Sequence, residues 1–148
     1  ARFDPPPRAQ RARDALSAAV SEGVAVIGAE HTKISGDGKQ LPFGEAEAGA
    51  TGLELLLPLT LKWAAAEKLP LAQALARITG DPATILGSPA GQLAVGAVAD
   101  VCVFDPDALW KVTDATLASQ GKNTPFQGCG MQGKVIATIV GGGVVFGA

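Results

Sequence analysis

The sequence predicts an α/β chain that divides near residue 88, with helical α/β material before the division and a small β module after it. Three observations carry this. A helix-spaced stretch at 9–22 is followed by a short, wholly apolar run at 24–27, which together make half of a βα repeat. Two further stretches, 51–67 and 71–78, are apolar at helical spacing. From residue 92 the apolar period changes to two, the period of a half-buried strand.

The elements follow in order. Residues 1–8 hold three consecutive prolines, whose fixed φ makes an extended entry. Ala12, Ala15, Leu16, Ala19 and Val20 give the 9–22 helix its apolar face, and Gly23 suits its C-terminal stop. Val24-Ala25-Val26-Ile27 is expected to be a buried parallel strand. Residues 28–50 form a long, polar, glycine-rich loop at the C-terminal end of that strand, which is where α/β barrels place their chemistry. A loop of this length without structure of its own is functional or disordered. The 51–67 stretch is apolar nearly all round and predicts a deeply buried helix, with Pro58 in its first turn or at a kink. Pro70 opens the next helix, whose buried face is Leu71, Ala74, Leu75 and Ile78. Asp81-Pro82 reads as N-cap and first helical residue, and Gly87 as the stop. Strands are expected at 92–95, 99–104, 109–112, 133–140 and 143–146, with Gly141-Gly142-Gly143 as a tight hairpin.

Composition narrows the function classes. The 148 residues suit one domain or slightly more. Apolar residues make up 47% of the chain, and mean hydropathy is +0.26. That much apolar surface must be covered, in part by protein outside this chain. The net charge of −2 and the absence of a basic stripe argue against nucleic acid. Tyr is absent and aromatics are 5%, too few for a base-stacking surface. Two cysteines do not make a disulfide framework. Cys102 is expected to pack in a strand as a small hydrophobe, and Cys129 to sit in a glycine-flanked turn. No signal peptide or membrane-length apolar run is visible, so a reducing cytoplasm is the expected compartment.

Several local patterns have plain structural readings. Asp37-Gly38-Lys39 lacks the glycine pattern and helix start of a phosphate loop and reads as a turn. Asp100, at a strand start, is expected to bind nearby backbone N–H groups. Asn123-Thr124-Pro125 reads as a turn closing the β module. The chain has one histidine, His31, and a zinc site needs three or more protein ligands, so His31 reads as a polar loop residue. Cys129 has no histidine near it in sequence and is not expected to be a nucleophile.

An ordered series of motifs then carries a family resemblance. Pro5-Pro6-Pro7-Arg8, His31-Thr32, Lys39-Gln40-Leu41-Pro42-Phe43 and Gly49-Ala50-Thr51-Gly52-Leu53-Glu54 come first. Gly121-Lys122-Asn123-Thr124-Pro125-Phe126 and Gly133-Lys134-Val135 follow. Together they resemble the C-terminal portion of a dihydroorotase, a member of the amidohydrolase superfamily. The resemblance implies the C-terminal part of a TIM-like (β/α) barrel of the metal-dependent hydrolase type at 1–87, with 28–50 as active-site loop. It implies a small β-sandwich module at 88–148. It also implies zinc chemistry on a cyclic amide, dihydroorotate, or closure of carbamoyl-aspartate, with metal-activated water and a carboxylate that moves the proton.

By family position, Glu30 takes the place of the catalytic and metal-ligating Asp, and substrate contacts fall on Asp4, Ile34, Ala48 and Gly49. The departures are specific. Glu30 is one methylene longer than Asp, displacing its oxygens by about 1.5 Å. Ile34 stands where a substrate-contacting His is usual, and it forms no hydrogen bond. Asp4 stands where Asn is usual, and its charge repels a dicarboxylate. The first-strand His-x-His pair has no counterpart here, so this chain alone is expected to bind no zinc and to be inactive. Three readings follow: part of a dihydroorotase of pyrimidine biosynthesis, a non-catalytic homologue that is a structural partner of aspartate carbamoyltransferase, or another cyclic amidohydrolase such as an allantoinase or dihydropyrimidinase. An oligomer, a partner chain or a preceding N-terminal portion is expected to cover the apolar surface.

Overall fold

The computed structural model describes residues 2–3 and 6–147. Its elements are helix α1 (Gln10–Ser21), α2 (Leu56–Glu67), α3 (Leu71–Ala76) and α4 (Gly80–Ile85), then strands β1 (Val101–Lys111), β2 (Gly130–Val140) and β3 (Gly143–Phe146). Short 3-10 turns occur at Asp37–Lys39 and Leu53–Leu55.

α1 ends as its sequence predicts. Gly23 has φ +80°, and the N–H groups of Val24 and Gly23 close back on the Ala19 and Val20 carbonyls at 2.9 and 3.1 Å. Arg77 adds a second stop. Its Nε donates to the Val20 carbonyl at 2.6 Å and its Nη2 to the Ser21 carbonyl at 3.2 Å. A cation at a helix C-terminus is favourable against the macrodipole, and Asp81 holds the same guanidinium from the other side. No residue of α1 is buried. It joins α2 through a polar chain instead: Trp63 Nε1 donates to Ser17 Oγ at 2.7 Å, which donates to Glu67 at 2.6 Å.

The expected parallel strand at 24–27 does not form. The segment is without strand pairing; its N–H groups bond helical carbonyls instead, Val24 and Ala25 to Ala19 at 2.9 and 3.2 Å and Ile27 to Arg77 at 3.0 Å. A strand needs a neighbour's backbone, and no other strand among the described residues lies beside it. The expected strand at 92–95 is missing for the same reason, and Leu93 and Val95 are exposed there.

The long apolar helix is shorter and less enclosed than predicted. A 3-10 turn leads into it, Pro58 falls in the first turn of α2, and Lys62, Ala65 and Ala66 are exposed. Pro70 is the N-cap of α3 rather than its first residue, its carbonyl accepting from Gln73 and Ala74. α4 starts at Gly80 with Thr79 before it, because Asp81 is taken by Arg77 and does not cap. Gly87 does stop α4, with φ +64° and the Ser88 N–H on the Ala83 carbonyl at 2.9 Å.

The β module is one antiparallel sheet in the order β1-β2-β3. The separate strands expected at 99–104 and 109–112 are one strand, β1, with a bulge. Its pairing jumps from Asp105–Lys134 to Leu109–Gln132, Asp105 Oδ1 accepts the Asp107 and Ala108 N–H groups at 2.8 and 3.2 Å, and Pro106 needs no ladder bond there. Gly141 and Gly142 both have positive φ and turn β2 into β3. Asp100 does what its position predicts: its Oδ1 accepts the Gly141 N–H at 2.7 Å. The described residues hold this single sheet and not a two-sheet sandwich. Cys102 is accordingly exposed on it rather than packed away, although partial burial pushes its thiol pKa up.

The core lies between α2 and the sheet. Leu55, Val112, Leu117 and Met131 are buried together, with Leu59, Trp110 and Phe126 packed around them. β2 comes close to α2 at Gly133, where a Cβ would lie 2.4 Å from Leu61 Cδ1. Val103, Leu109, Ile136, Val144, Val145 and Phe146 remain exposed.

Candidate functional site

The site is built where the segment after Ile27 meets the start of α2. Thr32 N–H donates to the Ala50 carbonyl at 2.9 Å, and Thr51 N–H to the Asn123 carbonyl at 2.7 Å. Thr51 is buried, and its hydroxyl donates to the Gly121 carbonyl at 2.7 Å. These bonds lay residues 30–32, 49–51 and 121–123 side by side. Three of the resembling motifs, far apart in sequence, thus become neighbours.

Glu30 and His31 stand at this junction. The Glu30 side chain is exposed, with no hydrogen bond or ion pair to its carboxylate among the described residues. It edges a cavity of about 330 Å³ whose lining includes Ile27, Leu56, Leu59, Thr60 and Trp63. His31 is half-buried, and its Nδ1 accepts the Gly52 and Leu53 N–H groups at 3.3 and 3.2 Å. Nδ1 is thus placed as the acceptor nitrogen of the ring. His31 therefore satisfies two N–H groups at the 3-10 entry to α2. This agrees with its reading as a supporting loop residue.

On the other side of the same segment lies a wider polar groove, lined by Lys33, Ile34, Lys39, Glu47, Lys122 and Asn123 among others. Ile34 is 4% exposed, so its side chain serves as an apolar wall. Ala48 and Gly49 are half-buried at the loop's end. Gly49 has φ +124°; its N–H donates to the Arg2 carbonyl at 3.0 Å, and its carbonyl accepts from Lys39 Nζ at 2.8 Å. Asp4 lies outside the described residues. The structure thus sets Gly49 and Ala50 against Thr32, in the segment that also carries Glu30 and Ile34, with Glu30 edging the cavity and Ile34 lining the groove.

Two residues outside the expected set organise this region. Arg2 Nη1 donates to the Gly44 and Ala46 carbonyls at 2.8 and 2.9 Å. Lys39 Nζ donates to the carbonyls of Glu47, Gly49 and Arg2. A signal for them was available. A long loop without secondary structure must satisfy its own carbonyls, and a cation within or beside it is the cheapest donor. Glu54 plays the converse part, its carboxylate accepting the Ala118 and Ser119 N–H groups at 2.6 and 2.7 Å.

The residues present do not fit a complete zinc centre. No three His, Cys, Asp or Glu side chains converge among the described residues. At the junction the candidate donors stop at two adjacent residues, and His31 Nδ1 is already engaged. Three protein ligands is the usual minimum. Among the described residues no helix is long and apolar enough to cross a membrane.

The sequence profile of the amidohydrolase family matches residues 60–146. The chain is 40% identical over 149 residues to a dihydroorotase of Geobacter sp. (strain M21), covering 100% of this chain and 35% of that protein. It is 42% identical over 144 residues to a dihydroorotase-like protein of Pseudomonas putida, covering 97% of this chain and 34% of that protein. It is also similar in structure to the L-hydantoinase (dihydropyrimidinase) of Arthrobacter aurescens, with TM-score 0.86 and 29% identity over 99% of this chain and 34% of that one. The chain thus spans about a third of the length of the curated relatives it matches.

Proposed function

Because the chain belongs to the amidohydrolase family, we propose that it is the C-terminal portion of a dihydroorotase-like protein of pyrimidine biosynthesis. The whole protein acts on the cyclic amide of dihydroorotate in a cytoplasmic assembly, and this chain is inactive alone. Residues 1–87 contribute to its barrel, and 88–148 contribute one sheet to a β-sandwich completed by other residues. The observation that carries the reading is the carboxylate of Glu30, exposed and unpaired among the described residues at the end of the apolar 24–27 run. In this reading Glu30 takes a proton from the attacking water and returns it to the leaving nitrogen, which suits a solvated carboxylate. In the same reading the Ala48–Gly49 backbone contacts the substrate, Ile34 is an apolar wall, and Asp4 takes a substrate-contact place by family resemblance alone. The zinc of the family would need donors beyond the described residues of this chain.

A second reading has its own support. Ile34 is buried and apolar where the resemblance expects a substrate-contacting His, and Glu30 is longer than the usual Asp. Both suit a non-catalytic homologue kept as a structural partner of aspartate carbamoyltransferase. Identity to a hydantoinase leaves a third substrate class, the cyclic ureides.

Ring hydrolysis by the longer protein that contains this chain separates the readings. Turnover of dihydroorotate is expected, falling by about 10²–10⁴ in Glu30→Gln, with none from the 148-residue polypeptide. No turnover together with co-purification of the carbamoyltransferase supports the second reading. Turnover of hydantoin or dihydrouracil in preference to dihydroorotate supports the third.

A further inference from the structure

Lys39 carries one ammonium with three N–H donors. All three have a carbonyl to meet: Glu47 at 2.5 Å, Gly49 at 2.8 Å and Arg2 at 3.3 Å. Charge-assisted bonds of this kind are stronger than neutral ones, so the ammonium is enclosed by backbone and is not left over for a ligand.

The placement of those carbonyls matters. Glu47 and Gly49 flank Ala48. In a trans peptide the C=O and the following N–H point in opposite directions. Holding the Glu47 carbonyl at Lys39 therefore aims the Ala48 N–H away from it. The next peptide plane is fixed by the Gly49 N–H on the Arg2 carbonyl at 3.0 Å, and the one after that by the Gly49 carbonyl. Three consecutive planes are set by one ammonium and one carbonyl. The Ala48 amide itself has no backbone partner among the described residues.

We infer that Lys39 is a positioning residue: its ammonium, caged by three carbonyls, orients the Ala48 amide next to the Gly49–Ala50 segment that pairs with Thr32. The role in turnover rests on the reading that this backbone contacts the substrate. The cage itself does not.

The test uses the longer protein and amide hydrogen exchange by mass spectrometry. Lys39→Met keeps an apolar stem and removes the charge. Exchange in peptides covering 44–50 is expected to rise about tenfold, the effect of losing a net hydrogen bond or two, while peptides from β1 and β2 stay unchanged. Lys39→Ala leaves room for n-propylammonium, which is expected to restore slow exchange. Choline, which has no N–H, is not. Unchanged exchange at 44–50, equal rescue by choline, or faster exchange throughout the sheet in both variants would each overturn the assignment. Dihydroorotate turnover measured on the same samples is a separate readout. An inactive wild type with a protected 44–50 segment defeats the functional reading and leaves the cage standing.

Discussion

Leu55→Ala is expected to lower the free energy of unfolding by about 3 kcal/mol, within the range of about 2–5 kcal/mol for buried leucines. Leu55 is fully buried at the entry to α2, against Val112, Leu117 and Met131. It is the point where the helical half meets the sheet. The cavity left by truncation has little chance to close, because the facing residues are fixed by other ties. Val112 exchanges backbone bonds with Cys129 and Gly128, and Glu54 holds the segment next to Leu117. Trp110 packs on this cluster, so urea unfolding followed by tryptophan fluorescence in a Trp63→Phe background reads the effect locally. Leu53→Ala is the control. Leu53 is 61% exposed two residues away, and its loss is expected to stay within about 0.5 kcal/mol. Equal effects from the two variants would mean that α2 does not enter the core through Leu55.

Gly49→Ala is expected to cost a comparable amount by a different route, and to disturb the site as well. Gly49 has φ +124°, and an added Cβ would lie 2.5 Å from Thr32 Cβ and 2.9 Å from both branches of that side chain. The unfavourable backbone contributes about 1–3 kcal/mol and the overlap about 1–3 kcal/mol. Because Thr32 N–H is bonded to the Ala50 carbonyl, relief of the clash separates the two segments that carry Glu30 and Ala48. Thr32→Gly in the same background is expected to recover the overlap part and not the dihedral part. Gly36→Ala supplies the comparison. Gly36 has φ −55° and no atom within 4 Å of an added Cβ, so a change under about 0.5 kcal/mol is expected by thermal unfolding. Since Lys39 and Gly49 fix the same peptide planes, their variants are expected to combine non-additively.

The local code of the helices was legible. Gly23 and Gly87 stop α1 and α4 through positive φ, and Asp100 receives the backbone N–H its position suggests. What the sequence misled on was pairing. Val24–Ile27 and Gln92–Val95 have strand character, yet strand character describes a side-chain surface and not the presence of a partner edge. Pro106 broke the apparent strand in two, although a bulge accepts a proline without ending the ladder. Asp81 resembled a cap because its competitor, Arg77, is four residues back and visible only once α1's end is in place. At the site, the motifs around residues 31, 49 and 123 were legible as a series, and the backbone bonds through Thr32, Thr51 and Gly121 explain why they travel together. The carbonyl-binding parts of Arg2 and Lys39 were legible only as the general need of a long loop for donors, because main-chain partners leave no residue-type signature.

This chain brings a carboxylate to the site without bringing a metal cage among its described residues. The direct measurement is zinc content per chain of the purified 148-residue polypeptide, loaded with zinc and then dialysed. Far less than one equivalent is expected, with no difference between the parent chain and Glu30→Gln. One equivalent retained by the parent and lost in Glu30→Gln would contradict it.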